Sequence, residues 1–257
     1  MFEYDYVSCI EAKSKLGKDG VISKIWHDQF APSNKVGNCT NLYRKLKPVS
    51  HRDFYTKYIA YAEEHPDVRI NDRGLSYDEL YDLAVRYKKV SDERTGTNYD
   101  LSLYFYDAVC HIIVETWNGQ KLEREFVQFL QMLGYECSKF DGRIDAEYGV
   151  DVKVTRNDGR VSAIQIKPIS FFKSNRWDVH RDRIALCKKY EAAKRDLGIK
   201  TYYAIYCKNK DTGEIKWLKN GEGYRFRVNE LFSYSPEDIE GTFTRLPLPE
   251  VEEHLPI

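Results

Sequence analysis

The sequence predicts an α/β protein of the α+β kind, a central mixed β-sheet flanked by helices, with a mostly helical region ahead of it. Three observations carry this. The second half alternates helical periodicity with short β-type runs, in the order helix, strands, helix, strand. The first half carries helix-start signals between irregular stretches. A chain of 257 residues with 42% hydrophobic content is long and apolar enough to bury a sizeable core.

Taken in order, residues 1–50 read as irregular, with Gly, Pro, Ser and Asn at short intervals, as in Ala31-Pro32-Ser33-Asn34. Ser50 is placed to cap a helix running to about Glu64, which His65-Pro66 ends. Ser76 followed by Glu79 fits a capping box for a second helix through Leu80, Leu83 and Val85. A third apolar-periodic run covers Tyr99 to Trp117, and Asn118-Gly119 is expected to break it. Leu122, Phe126, Phe129, Leu130 and Leu133 recur at helical spacing, and Gly134 stops that helix. Strand runs follow at 148–155 and 161–169, then a charged helix over 180–196 with Leu186, Tyr190 and Ala193 facing inward. Leu197-Gly198 ends it, and Thr201 to Cys207 reads as a buried strand, with another over Gly213 to Leu218. Ser235-Pro236 has the form of a cap and first position of a short last helix. The expected organisation is therefore a helical or irregular region over 1–117, a core over 118–235 and an acidic tail over 236–257.

The bulk numbers exclude several classes. No apolar run approaches the length of a bilayer span. Met1 leads into Phe-Glu-Tyr-Asp without the basic start of a secretion signal, so the expected location is the cytoplasm. Six cysteines (Cys9, Cys39, Cys110, Cys137, Cys187, Cys207) lie far apart with no CxxC pair, which argues against a zinc knuckle or a disulfide framework. The 40 basic and 40 acidic residues cancel, but unevenly. Residues 11–58 hold ten Lys/Arg against four Asp/Glu, whereas 236–257 hold six acids against one Arg. A basic segment balanced by an acidic tail is compatible with a polyanionic partner. Tyrosines beside basic residues, as in Tyr43-Arg44-Lys45 and Tyr224-Arg225-Phe226-Arg227, suit either a nucleic-acid surface or an amphipathic helix.

The stretch GVDVKVTRNDGRVSAIQIKP, residues 149–168, carries charge in an otherwise apolar hairpin. Parity puts Val150, Val152 and Val154 on one face and leaves Asp151 and Lys153 on the other. Likewise Ile164 and Ile166 share a face, opposite Gln165 and Lys167. If both apolar rows lie on one side, paired residue numbers must sum to an even value, so the loop is odd. A three-residue loop with Asp158 and a left-handed Gly159 meets that condition. Asp151 then lies across from Gln165 or Lys167. A carboxylate beside a carbonyl oxygen is a fit ligand pair for Mg²⁺, and a neighbouring lysine can orient a water or stabilise charge on a phosphate.

Asp151, a hairpin and Gln165-Ile166-Lys167 together resemble the PD-(D/E)xK nuclease signature, in the variant with Gln at the second acid. Glu123, in EREFVQFLQMLGY, is similar to the glutamate on the first helix of that fold, and the likeness spans roughly residues 118–210. The chain departs from the pattern in having Val150 where the family has Pro. The resemblance implies a restriction-endonuclease-like core. It also implies a Mg²⁺-dependent type II restriction enzyme that leaves 5′-phosphate and 3′-hydroxyl ends, acting as a homodimer on double-stranded DNA. By that resemblance Asp151 is the metal ligand, Gln165 contributes to metal or water binding, Lys167 is the catalytic lysine and Glu123 supports them. Asp145 and, less strongly, Glu147 compete as ligands. More faintly, IQIKPISFF resembles the MjaI-like restriction enzymes that cut CTAG. Given a nuclease, Lys173, Asn175, Arg176, His180, Arg181 and Arg183 are expected to meet DNA beside the catalytic strand. The basic segment would add Arg44, Lys45, Lys47 and Arg52, making 1–117 a region of DNA recognition and grip. The alternatives are a repair or junction-resolving nuclease of the same superfamily and a catalytically inactive DNA-binding module. Asp107, His111 and Glu115, at successive i, i+4 spacings, have the spacing of metal ligands, but the reading preferred is a polar stripe opposite Val109 and Ile113.

Overall fold

A computed structural model of the chain describes residues 2–140, 142–155, 159–173, 177–209, 214–219, 226–227 and 243–244. The chain divides into two compact units, Met1–Lys121 and Leu122–Ile257. The expected boundary at 117/118 falls inside a helix. The expected cap at Ser235-Pro236, and the acidic tail apart from 243–244, lie outside the described residues.

The first unit is helical throughout, including the stretch expected to be irregular. Its elements are α1 (Tyr6–Leu16), α2 (Gly20–Ile25), a π-helical turn (Trp26–Phe30), α3 (Ser33–Val36), α4 (Cys39–Leu46), α5 (His51–Glu64), α6 (Ile70–Arg73), α7 (Tyr77–Thr95) and α8 (Leu101–Val109). A second π-helical turn (Cys110–Val114) joins α8 to α9 (Glu115–Met132). The polar residues that look like loop formers in 1–50 are caps. Asp5 accepts from the amides of Val7 and Ser8, Asp19 from those of Val21 and Ile22, and Asn38 from that of Asn41. Each satisfies amides that the first helical turn leaves without partners. Ser50 caps α5, and Ser76 with Glu79 forms the capping box of α7, both as the sequence predicts. On α7, however, Val85 is 41% exposed, and Ala84 and Tyr87 take the inward positions beside Leu80 and Leu83.

Asn118-Gly119 breaks nothing; the helix runs through it to Met132. A glycine inside a helix costs about 1 kcal/mol. Burial of Gln120, Leu122 and Phe126 on the turns that follow outweighs that cost. The core of this unit is built on Trp26, Phe54, Tyr58, Tyr87, Tyr104 and Phe105, all fully buried. Their phenols find partners: Tyr58 donates to the Val36 carbonyl, Tyr87 to Asp107 and Tyr104 to Asp92. Tyr43, in the Tyr-Arg-Lys triplet, is also a core residue, edge-on to Phe54, so that triplet is an amphipathic helix.

The expected stripe of Asp107, His111 and Glu115 is not a solvent-facing one. Asp107 is 2% exposed and the His111 ring is largely covered. The reason is packing: α1 and α7 lie against α8, and α1 and α5 against the π-helical turn that follows. A helix covered on several sides buries its polar residues with its apolar ones.

The second unit opens with the end of α9, closed by Gly134, and continues with β1 (Glu136–Lys139), α10 (Gly142–Tyr148), β2 (Val152–Thr155), β3 (Val161–Pro168) and α11 (Ile169–Lys173). There follow α12 (Trp177–Leu197), β4 (Lys200–Lys208), β5 (Ile215–Leu218) and the two-residue β6 (Phe226–Arg227) and β7 (Phe243–Thr244). The sheet order is β1-β2-β3-β4-β5-β7, with β6 also on β4. It is mixed, since β3 and β4 are parallel and the other neighbours antiparallel. Apolar clusters cover both faces. One joins Leu122, Phe126, Phe129 and Leu130 of α9 to Val152, Val154, Ile164 and Ile166. The other joins Tyr190 and Ala193 of α12 to Ala163, Tyr203 and Ile205. Leu133, expected to face inward, is exposed past the end of α9. The architecture is thus a mixed sheet between helices, as the sequence predicts at the level of class.

Arg73 carries a testable share of the first unit's stability. It is buried, forks onto Glu79 at 2.6 and 2.7 Å, and donates from Nε to the Val68 carbonyl. That guanidinium holds the Glu79 carboxyl down at about 2. Glu79→Ala strands a buried cation and removes the capping box, and is expected to cost about 3 kcal/mol in denaturant unfolding. Because the Glu79 pKa is depressed, its contribution is present above the ordinary carboxylate range and lost as pH falls towards 2. The gap between wild type and Glu79→Ala should therefore narrow in acid.

Candidate active site

The β2–β3 hairpin sets the site. Val152 pairs with Ile164, Lys153 with Ala163, Val154 with Ser162 and Thr155 with Val161. Every pair sums to an even number, as same-face apolar rows require. Gly159 has φ of +76°, the left-handed conformation expected of it. Asp158 lies outside the described residues. One part of the parity argument fails. Strand β2 starts at Val152, and Val150 packs in the α12-side cluster, not beside Val152 and Val154. Gly149 turns the chain at φ +62°, where a Cβ would stand 2.8 Å from Leu186 Cδ2, so strand alternation does not extend back through it.

Asp151 sits where β2 leaves the sheet. Its amide keeps one ladder bond, to the Ile164 carbonyl at 3.0 Å. The side chain takes over beyond that. Asp151 Oδ2 accepts the Ile166 amide at 2.7 Å and a short hydrogen bond from Gln165 Nε2. The carboxylate thus replaces the backbone acceptor that a longer β2 would have offered to β3. Gln165, only 4% exposed, is satisfied in the same exchange.

Burial, followed by the nearby charge of Glu123, pushes the Asp151 carboxyl up to about 7; the Ile166 amide and the Lys167 ammonium oppose this, and Asp145 adds to it. Glu123, reaching from α9, is paired with Lys139 of β1 at 2.7 Å. Lys167 is half-buried, its Nζ 5.5 Å from the Phe171 ring centroid. Three of the four residues expected on the polar face therefore occur as an electrostatic group. Lys153 is exposed towards the hairpin end.

Lys139 is a member the sequence reading missed. Its strand is four residues long with one fully buried side chain, Cys137, too short for alternation to show. Helix α10, carrying Asp145 and the exposed Glu147, was missed for a similar reason.

The fit to Mg²⁺ rests on one oxygen. Among the described residues no three of His, Cys, Asp and Glu are grouped to hold a metal ion. Both hydrogen bonds to the Asp151 carboxylate fall on Oδ2, leaving Oδ1 without one among the described residues. Gln165 turns its NH₂ to Asp151, and its Oε1 faces Gly149, 3.6 Å from where a Cβ there would stand. It holds the aspartate rather than offering a carbonyl oxygen beside it. Mg²⁺ keeps several waters and is commonly bound by one or two carboxylates together with substrate phosphates. The residues present suit a cation shared with a phosphate, not a closed protein cage.

The candidate DNA contacts divide. Asn175 and Arg176 lie outside the described residues, as do the side chains of Lys173, His180 and Arg181. Arg183 donates from Nε to the Phe171 carbonyl at 2.8 Å and lies over its ring, so it ties α12 to α11. In the first unit Lys45, Lys47 and Arg52 are exposed and Arg44 is half-buried. Lys45 bonds the Tyr61 hydroxyl, and the Lys47 carbonyl receives Lys57 Nζ at 3.5 Å.

Comparison with protein-family models, with curated proteins and with solved structures finds no match for this chain. Among the described residues no helix is long and apolar enough to cross a membrane.

The raised Asp151 pKa has a definite sign. The folded chain binds that proton more tightly than the unfolded one, so folding stability falls as pH rises from about 4 and levels off above about 7. Asp151→Asn removes this cost. It should leave stability unchanged near pH 4 and raise it at pH 8 by on the order of 2 kcal/mol, read by denaturant unfolding at both pH values. A loss of stability at pH 8 would show that the ionised carboxylate serves the fold.

Proposed function

We propose that the chain is a site-specific endonuclease acting on double-stranded DNA, working as a homodimer in which each subunit cuts one strand. The observation that carries this reading is the grouping of Asp151, Gln165 and Lys167 at the open end of a hairpin, with Glu123 on the helix before it. A half-buried aspartate with raised proton affinity beside a lysine is more than a strand face requires. Asp151 Oδ1, with phosphate oxygens and waters, would hold Mg²⁺, which supplies charge neutralisation and an acidified water. Lys167 stabilises charge on the phosphate in the in-line attack and orients the water. Gln165 fixes the Asp151 rotamer, and Glu123 with Lys139 sets the local potential. The ends produced are 5′-phosphate and 3′-hydroxyl, at a short palindrome such as CTAG. Lys45, Lys47 and Arg52 would meet phosphates, and Lys173, Asn175, Arg176, His180 and Arg181 are further candidates for DNA contact.

Two observations favour a second reading, an inactive DNA-binding module: Gln165 supplies no charge, and the described residues hold no three-ligand metal group. Plasmid cleavage with and without Mg²⁺ separates the two. The nuclease gives discrete fragments, and Lys167→Ala and Asp151→Ala each lower the rate at least 100-fold. Binding without cutting selects the inactive module. Cutting confined to branched or damaged DNA selects a repair or junction-resolving enzyme.

A further inference from the structure

The first unit contains a polar cluster around the buried Asp107 that the nuclease reading does not use. Both π-helical turns among the described residues contribute to it. Trp26 stacks on His111 at 4.9 Å and 14°, and His27 meets the same ring edge-on at 5.6 Å. π-Helical turns are uncommon and concentrate where a side chain is held for a purpose. His111 Nδ1 lies 2.7 Å from Glu115 Oε2, and Nε2 lies 3.6 Å from Asp107 Oδ1. Asp107 Oδ2 accepts from Tyr87, whereas Oδ1 is buried with no hydrogen-bond partner among the described residues.

Proton counting narrows the possibilities. A carboxylate can only accept, so Nδ1 carries a hydrogen towards Glu115. If Nε2 were bare and Asp107 ionised, a lone pair would face the buried Oδ1 of an anion, an oxygen that neither Tyr87 nor any other described donor reaches. Placing one hydrogen in that gap, on either atom, removes the conflict. We propose that Asp107 and His111 form a single-proton site, a pH-sensitive switch in the helical unit, with half-exposed Glu115 fixing the ring from its Nδ1 side.

The groups facing the pair are Cys9 and Lys13 from α1, His27 from the first π-helical turn, Tyr87 from α7 and Glu115 from α9; α5 brings Phe54 and Tyr58. Lys13 is bonded to Glu115, which fixes that side chain beside His111. Burial pushes Asp107 up to about 6, against Tyr87 and Lys13. Burial, then Lys13 and His27, push His111 down to about 3. One proton therefore leaves near pH 6, and a second enters only in strong acid. Its loss leaves Asp107 a buried anion against the His111 lone pair, with Glu115 beyond. The strain falls on the Trp26–His111 stack, which borders a pocket of about 140 Å³ lined by His27, Val36, Cys39 and Glu115.

The test is an NMR titration of the isotopically labelled full chain between pH 4.5 and 8.5. The His111 Nε2 shift and the Asp107 carboxyl carbon should move together in one step near pH 6, with Nδ1 protonated throughout. Trp26 emission should follow the same midpoint, a change absent from Trp26→Phe. Asp107→Asn should abolish the His111 step. Independent titration of His111 near its ordinary 6.5 and of Asp107 near 4 would overturn the proposal, as would the absence of any step in this range.

Discussion

Strand β3 is covered on both faces, and every polar group on it must be satisfied from within the protein. That constraint organises the second unit. Ile164 and Ile166 meet α9, and Ala163 meets α12. Gln165 falls on the α12 side with an amide that no backbone group answers. The Ile166 amide lies beyond the end of β2, so the ladder does not answer it either. One side chain serves both, and it is Asp151. A neutral acceptor would meet the same geometric need. Choosing a carboxylate leaves an oxygen over and raises the electrostatic cost of the fold, which is the physical reason to look there for chemistry.

The helical unit meets an equivalent constraint differently. Its most enclosed helix carries Asp107, one oxygen taken by Tyr87 and the other left facing an imidazole. In the sheet a buried carboxylate is placed beside a lysine; among the helices it is placed beside a histidine. The first arrangement is answered by a cation at longer range, the second by a proton. The two π-helical turns bring Trp26, His27 and His111 together.

Features fixed by local physics were legible in the sequence. Parity gave the hairpin pairing class, Gly159 its left-handed φ, and Ser50 and Ser76-Glu79 their helix starts, because each depends on a few adjacent residues. Features decided by distant packing were not. The segment 1–50, which holds the caps Asp5, Asp19 and Asn38, read as irregular because a cap and a turn use the same side-chain types, and only the helix behind them tells the two apart. Asn118-Gly119 read as a break because the burial that carries the helix through it lies on neighbouring turns. The Asp107 stripe looked solvent-facing because a helix covered on several sides has no polar side to reveal it. Lys139 was invisible because a four-residue strand has too little alternation to register.

Gln165, at the position where the nuclease signature it resembles carries a second acid, changes what the site requires. Two buried carboxylates side by side would repel, and the fold would depend on a cation to hold them. An amide donating to Asp151 turns that repulsion into a hydrogen bond. Glu123 is already answered by Lys139, and Asp151 by Lys167 at longer range. The four residues are therefore near charge balance on their own, and the fold closes around them without a metal. What they lack is compensation for an added phosphate. Under the proposed nuclease function the need for a divalent cation would arise with the substrate, so ion and DNA are then expected to bind cooperatively, each weakly in the absence of the other.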